Sequence, residues 1–376
     1  MANTLTSLIP ALYQGLDIVS RELVGLVPAV TMNSGAARAA VGEDVIVPIT
    51  GTANVIDISP AMAIPEPTDQ VVSNTKIQIT KARAAEFGFV GEEQRGVNNG
   101  AGWEVIQAGM FAQALRKLVN EVEADLAATY LATSRAYGTA GTTPFASDLS
   151  DTANLHKILA DNGSPLMEKQ LVIDTTAGAK MRNLTQLTKA NEAGGDTMLR
   201  QGVLLDVHGF AIRESAQMQL HTKGTGASFV SNGTFAEGAT VIGIDGGTGT
   251  VLAGDVITFA GDTNKYVVAS ALSGGSVTIA APGLQASLAD GVAMTVGGTY
   301  TANMAFDKNA IQLVTRAPAL PNGTDQAADS MMLTDPRSGL TFEVRVYYGY
   351  RKVRYEVALA WGVKNIKPEH SVLLLG

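Results

Sequence analysis

Apolar residues recur every three or four positions from residue 4 to residue 24, at Leu5, Leu8, Leu12, Leu16, Val19 and Leu23, with Asp17, Arg21 and Glu22 between them. That period predicts an amphipathic helix. Past Pro28 the period falls to two. Val45, Val47 and Ile49 alternate with Ile46 and Pro48, and Ile77 and Ile79 alternate with Lys76, Gln78 and Thr80. Two strands are expected there, enclosing an extended loop of about 25 residues that holds Pro60, Pro65 and Pro67. Loops of that length usually either act or reach a neighbour. From Trp103 to Arg135 only Gly109 interrupts a run rich in Ala, Leu, Glu and Gln. Ala108, Ala112, Leu115, Val119, Val122, Leu126 and Tyr130 share one face of it, and Gln113, Arg116, Lys117, Asn120, Glu123 and Asp125 the other. The pattern predicts one helix of about 32 residues, about 48 Å long, lying along a sheet on its single apolar stripe.

Between Thr152 and Ala216 the periods mix: "NLHKILADNG" and "TAGAKMRNLTQL" read as helices, "KQLVIDT" and "GFAIRES" as strands. This is a small α/β unit. Residues 221–300 are glycine-rich, with short strand-like runs about every ten residues, "ATVIGID", "DVITFAG", "KYVVAS", "SVTIAA" and "VAMTVGG". They predict a small antiparallel barrel or sandwich, inserted into the α/β unit because the sequence on either side still needs a partner sheet. Longer strands return afterwards. In "TFEVRVYYGYRKVRYEVALAW" a turn from Gly349 to Lys352 pairs residue 348 with 353, 346 with 355 and 344 with 357. Phe342, Val344, Val346 and Tyr348 then share a side with Val353, Tyr355, Val357, Leu359 and Trp361. Glu343, Arg345, Arg354 and Glu356 form alternating charges on an exposed opposite face.

Composition narrows the chemistry. The 376 residues are 46% hydrophobic and carry a formal net charge of −8, the reverse of the balance that a duplex-binding protein uses to displace counterions. Nucleic-acid contact is therefore expected to be local at most. The four basic residues and four tyrosines from Arg345 to Tyr355 are the one candidate, and the hairpin register reads them as sheet. With no cysteine there is no thiolate chemistry and no disulfide framework. A secretory signal pattern and a run long enough to cross a membrane are not found, so a soluble chain made in the cytoplasm is expected. Forty glycines with only 16% charged residues suggest tight turns and a surface partly covered by copies of the same chain.

Catalytic patterns are weak. His156, His208, His221 and His370 are scattered singly; Asp206 two residues before His208 is the one acid–histidine neighbourhood, and it reads as a turn. "IDGGTGTVLAGD" lacks the Lys-Ser/Thr ending of a phosphate-cradling loop and precedes a strand. Asn183, Asn232 and Asn322 match the glycosylation pattern by chance.

The order of these elements, with the closing "RYEVALAWGVKNIKPEHSVLL", resembles the major capsid proteins of tailed bacteriophages, the Hong Kong 97 fold. The ending from Trp361, Gly362 and Val363 to Lys367, Pro368 and Glu369 is similar to that of the short-tailed Salmonella phage coat proteins, a branch with an inserted β-barrel, and "LAGDVITFAG" is similar to its barrel strands. The resemblance implies an α+β capsid fold: an N-terminal arm (1–40), an extended loop hairpin (41–100), a spine helix of the peripheral domain (101–137), a first axial part (138–220), the inserted barrel (221–300), and axial and peripheral strands to the C-terminus (301–376). It implies a virion protein without catalytic, cofactor or metal sites. Such a protein assembles as pentamers and hexamers into an icosahedral shell, through a scaffolded procapsid that expands. Its partners are a scaffolding protein, a portal protein and packaged double-stranded DNA bound without sequence specificity, with no membrane. Contacts between subunits are expected at Leu5 and Leu12 in the arm, at Asp57, Glu66 and Asp69 in the loop, and at Arg351 and Lys352 at the hairpin turn. Another array-forming β-rich structural protein, and an enzyme built on Asp206 and His208, are the alternatives.

Overall fold

The structure, a computed structural model, describes residues 12, 13, 16, 25–49, 55, 57, 58, 60, 62, 73–97, 103–188, 206–321, 325–335 and 339–376. One strand, Lys352–Asn365, organises a six-stranded sheet. Along one side it pairs antiparallel with Lys81–Val90, from Lys352↔Val90 to Trp361↔Lys81. Along the other it pairs first with Thr341–Gly349 and then with Ile311–Pro318. The hairpin register is the one expected, Tyr348↔Val353, Val346↔Tyr355 and Val344↔Val357. Gly349↔Lys352 extends the ladder by one pair, so the turn shrinks to Tyr350 and Arg351, with Arg351 in the left-handed region at φ 57°.

The helix Trp103–Ala127 lies across this sheet on its apolar stripe. Phe111, Leu115, Leu118 and Val122 are buried against it, as are Ala108, Ala112, Val119 and Leu126. Phe87 stacks on Tyr355 at 5.3 Å between ring centroids, and Phe111 meets both edge-on at 4.9 and 5.6 Å. Offset and edge contacts of this kind add to the area that the rings bury. The helix is shorter than its pattern predicts. It ends at Ala127, a 3-10 turn covers Ala128–Ala132, and Arg135 already belongs to the strand Arg135–Tyr137. The cause is local: Thr129 Oγ1 donates to Leu126 O at 2.6 Å and Thr133 Oγ1 to Tyr130 O at 2.7 Å, side-chain bonds that compete with the helical ladder.

Its polar face is corrected too. Gln113, Lys117 and Asn120 are exposed, but Glu123 is buried and receives Ser215 Oγ at 2.8 Å. Asp125 accepts Trp361 Nε1 at 2.8 Å and Lys81 Nζ at 2.7 Å, tying the helix to two strands. After Trp361, Gly362 is required by packing: a side chain there would meet Gln78 O at 2.1 Å.

The α/β unit forms as expected. Lys169–Ile173 is buried along its length, parallel to Phe210–Glu214 and antiparallel to Tyr300–Asp307. The C-terminal strand Ser371–Leu375 joins Tyr300–Asp307 to Arg135–Tyr137. Helices Ser150–Asp161 and Thr175–Arg182 cover one face through Leu155, Leu159, Ala177 and Met181. Asp174 caps the second, accepting the amides of Thr176 and Ala177 at 3.1 Å each.

Between Leu220–His221 and Tyr300–Asp307, which pair with each other, the chain builds a closed antiparallel barrel. Its ring runs Val256–Phe259, Ala293–Val296, Phe229–Ser231, Val241–Asp245, Ser276–Ile279 and Lys265–Ser273, the last pairing back with the first. Ile242, Ile257, Val268, Val277 and Ile279 fill it. Closure removes the free edges that such short strands would otherwise expose.

The barrel is fastened by a buried polar cluster. His221 Nε2 lies 2.9 Å from Asp255 Oδ1, and His221 Nδ1 lies 2.9 Å from Tyr130 Oη in the 3-10 turn that follows the long helix. Because the carboxylate can only accept, Nε2 carries the proton in the neutral ring and Nδ1 accepts from the phenol. Asp255 also accepts the amides of Gly224 at 3.0 Å and Leu252 at 2.7 Å, and Tyr300 Oη donates to Gly254 O at 2.5 Å. Gly254 sits at φ 91° with Leu131 and His221 where a Cβ would lie. Replacing Asp255 with Ala strands these buried donors, so Asp255→Ala is expected to destabilise the protein by about 3–5 kcal/mol. Hydrogen exchange of the Gly224 and Leu252 amides, read beside urea unfolding, checks it; retained protection at both would refute the clamp.

Candidate functional site

Two features stand out from the core. The first is the antiparallel pair Asp44–Ile49 and Ser73–Gln78, in register from Asp44↔Gln78 to Ile49↔Ser73. Among the described residues its anchors lie near the base: Val47, Ile77 and Ile79 pack with Ala39, Val314 and Ala360, and Lys364 Nζ donates to Thr75 Oγ1 and Lys76 O at 2.9 Å each. Ile46, on the outward side of this base, is 60% exposed, and beyond the strand pair Val55, Ile58 and Met62 are fully exposed. Asp57 lies on this projection and is exposed. Glu66, Asp69 and Leu5 lie outside the described residues. Leu12 does not offer a contact surface, because it is buried with Leu16 in the protein's own core.

The second is the turn at Tyr350 and Arg351. Arg351 and Lys352 are exposed, as expected, and the Arg351 guanidinium lies over the Tyr350 ring at 5.6 Å. Together with Phe89, Arg95 and Tyr348 they line a cleft of about 470 Å³ beside the helix Gly91–Val97. Arg354, further along the strand, pairs with Glu86 and Glu356.

The outer face of this hairpin is not the exposed charge ladder that alternation predicts. Glu343 is 2% exposed and Arg345 is 5% exposed. Arg38 grips Glu343 with two bonds, Nη1 to Oε2 at 2.9 Å and Nη2 to Oε1 at 2.6 Å, and Arg345 Nε adds a third at 2.8 Å. Arg345 also pairs with Asp325, which accepts Tyr347 Oη at 2.7 Å. Arg38 comes from Thr31–Ala39, an edge strand running parallel to Ile311–Pro318 with an irregular register between Ser34 and Arg38. Its "TMNSGAARA" has no apolar alternation, so no strand signal announces it. Burial alone would push the Glu343 carboxyl up; the Arg38 and Arg345 hydrogen bonds and charges outweigh it and hold it below its usual value of 4.5.

The other sequence candidates do not converge. His208 is an exposed turn residue at φ 49°, bonded to Thr152 Oγ1 at 2.7 Å, with Asp206 exposed beside it. Among the described residues no group of three or more His, Asp or Glu side chains could hold a metal ion. No helix of these residues is long and apolar enough to cross a membrane. The glycines of "IDGGTGTVLAGD" serve packing: Gly249, at φ 91°, lies where a Cβ would meet Thr225 O at 2.4 Å.

No family model matches the chain, and no curated protein does. Solved structures do. A chain in the capsid structure of the cyanophage P-SCSP1u is 13% identical with a TM-score of 0.51, over 94% of this chain and 88% of that one. A Mycobacterium phage Che8 chain is 14% identical at a TM-score of 0.47, over 89% and 84%. A chain of a virus-like particle from Pyrococcus furiosus is 12% identical at 0.45, over 97% and 98%. At this identity the cyanophage likeness shows a shared fold.

The Glu343 network yields a pH-dependent test. A carboxyl with a depressed folded pKa contributes stability that is full above its unfolded value, 4.5, and is lost as pH falls through the folded value. Glu343→Gln is expected to cost about 3–5 kcal/mol at pH 7, since it takes the anion from Arg38 and leaves buried Arg345 with Asp325 alone. That deficit shrinks as pH falls below 4.5, where the wild-type carboxyl protonates too. Urea unfolding of both proteins at pH 7 and below 4 reads it; a deficit that does not change with pH contradicts the assignment.

Proposed function

We propose that this chain is the major capsid protein of a tailed bacteriophage and that its copies assemble into an icosahedral shell. The observation that carries the reading is the fold shared with a chain of the cyanophage capsid structure over 94% of this chain. The projecting strand pair supports it, because Ile46 is exposed on its outward side and Val55, Ile58 and Met62 are exposed on the segment beyond it. A neighbouring subunit is what would cover them.

Within this reading the parts take the roles that the Hong Kong 97 resemblance implies. Residues 1–40 form the arm and 41–100 the extended loop lying over a neighbour. Residues 101–137 form the spine of the peripheral domain, though its helix stops at Ala127. Residues 138–220 begin the axial domain, 221–300 are the inserted barrel, and 301–376 complete both domains. Asp57, Glu66 and Asp69 on one copy, and Arg351 and Lys352 on another, are proposed contacts between subunits. Assembly proceeds as pentamers and hexamers through a scaffolded, expandable procapsid with a portal, and the shell encloses double-stranded DNA in the virion. A net charge of −8 favours a lining from which packaged DNA is repelled rather than gripped.

Because Ile49 and Ser73 pair directly, a short turn can replace what lies between them. Deleting residues 52–72 is expected to leave the melting midpoint of the subunit within a few degrees of wild type while abolishing shells. Negative-stain microscopy and sedimentation of the expressed chain, alone and with a candidate scaffold, read the outcome. Normal shells from the deletion overturn the loop assignment, and a wild-type chain that stays monomeric in both settings overturns the capsid reading.

A further inference from the structure

A cleft of about 370 Å³ opens where the helix Ser150–Asp161, the end of the strand Arg135–Tyr137 and the barrel segment 263–265 meet. Three cations line it, Arg135, Lys157 and Lys265, against one carboxylate, Asp161, with Asn154 and Asn264 beside them. Arg135 is 4% exposed, and every acceptor that holds it is neutral. Its Nη1 donates to Asn264 Oδ1 at 3.1 Å, and its Nη2 to Ile158 O at 3.1 Å and Asn162 Oδ1 at 2.7 Å. The Nε–H has no partner among the described residues. Asp161 and Asp262 act on the guanidinium through space, without an ion pair to it among the described residues. The Lys265 ammonium donates to Gly138 O, and Lys157 stands exposed at the rim.

A buried guanidinium held only by neutral acceptors is an uncommon arrangement, because desolvation of the charge is then offset by dipoles alone. Arginine is the side chain best shaped to meet a flat or tetrahedral oxyanion, through paired N–H donors. We propose that this cleft is an oxyanion site, taking a carboxylate or a phosphate between Arg135, Lys157 and Lys265. Its ligand bridges the helix of the α/β unit and the barrel loop, so occupancy fastens the barrel to the body at a point separate from the His221 cluster. Two sources offer this chemistry: free inorganic phosphate, and an aspartate or glutamate of a second copy of the chain. The site follows from this chain's own residues and does not depend on the capsid reading.

The full-length, unassembled protein is titrated with sodium phosphate against sodium chloride at equal ionic strength, with the melting midpoint and calorimetric binding as readouts. A saturable rise with phosphate is expected. Lys157→Gln, a change at an exposed position, is expected to weaken phosphate binding about five-fold, the size of a partly exposed charge contact, without moving the midpoint in chloride. Arg135→Lys, which keeps the charge and loses the fork, removes saturation. Equal midpoints in phosphate and chloride overturn the proposal, as does unchanged affinity in Lys157→Gln. Repeating the titration on self-associated protein separates the sources. Binding that persists identifies the free anion, and binding lost on association identifies a neighbour's carboxylate.

Discussion

Everything in the body of this protein hangs on the strand Lys352–Asn365, which is paired on both sides along most of its length. Its inward side chains Tyr355, Val357, Leu359 and Trp361 are fully buried under the long helix. Burying each such side chain contributes about 1.5–3 kcal/mol. The pairing joins segments far apart in the chain, Lys81–Val90 on one side and Ile311–Pro318 on the other. The strand therefore cannot gain its packing until most of the chain has been made and brought together, a non-local arrangement that costs loop-closure entropy before it is rewarded.

The same logic governs the barrel. Its strands are short, and four of the six are only three or four residues long, so no pair of them is stable alone. Closure supplies the missing partners, and the junction supplies orientation. Tyr130 comes from the 3-10 turn after the long helix, His221 and Tyr300 from the strands leading in and out, and Asp255 from the barrel itself. Burial and the Asp255 charge push the Tyr130 phenol up, as they do the Tyr300 phenol, so both remain donors across the ordinary pH range. A cluster that is fully satisfied fixes one orientation of the barrel, because any rotation would leave buried donors unpaired.

How much of this was legible depends on whether the signal was local. The terminal hairpin could be registered residue by residue, since period two and a tight turn leave one alignment that puts the apolar residues on the same side. The α/β unit and the barrel strands were readable for the same reason. The end of the long helix was not, because Thr129 and Thr133 act through side-chain bonds that hydrophobic periodicity does not register. The burial of Glu343 and Arg345 was hidden because it depends on Arg38, some 300 positions earlier, in a strand of small residues. The His221 cluster was equally silent: its members are 34 and 91 positions apart, and no spacing rule joins them.

Charge is used sparingly, and where it is used it joins elements. Asp125 binds the helix to two strands, Glu343 binds the Thr31–Ala39 strand to the hairpin, Asp255 binds the barrel to the body, and Glu214 binds the Thr175–Arg182 helix to its sheet through Arg182. Each of the first three accepts from more than one group, so none is a simple surface pair of the kind that contributes little. The projecting strand pair is treated differently. Among the described residues its internal ion pair, Lys76 with Asp44, is solvent-exposed, and the Lys364 ammonium and a small apolar base tie it to the body. Stiff joints in the body and a lightly tethered projection are complementary properties. The body's layers are joined by carboxylates that each accept from several groups, whereas the described ties of the strand pair lie near its base, so a change in that pair would leave the core beneath it undisturbed.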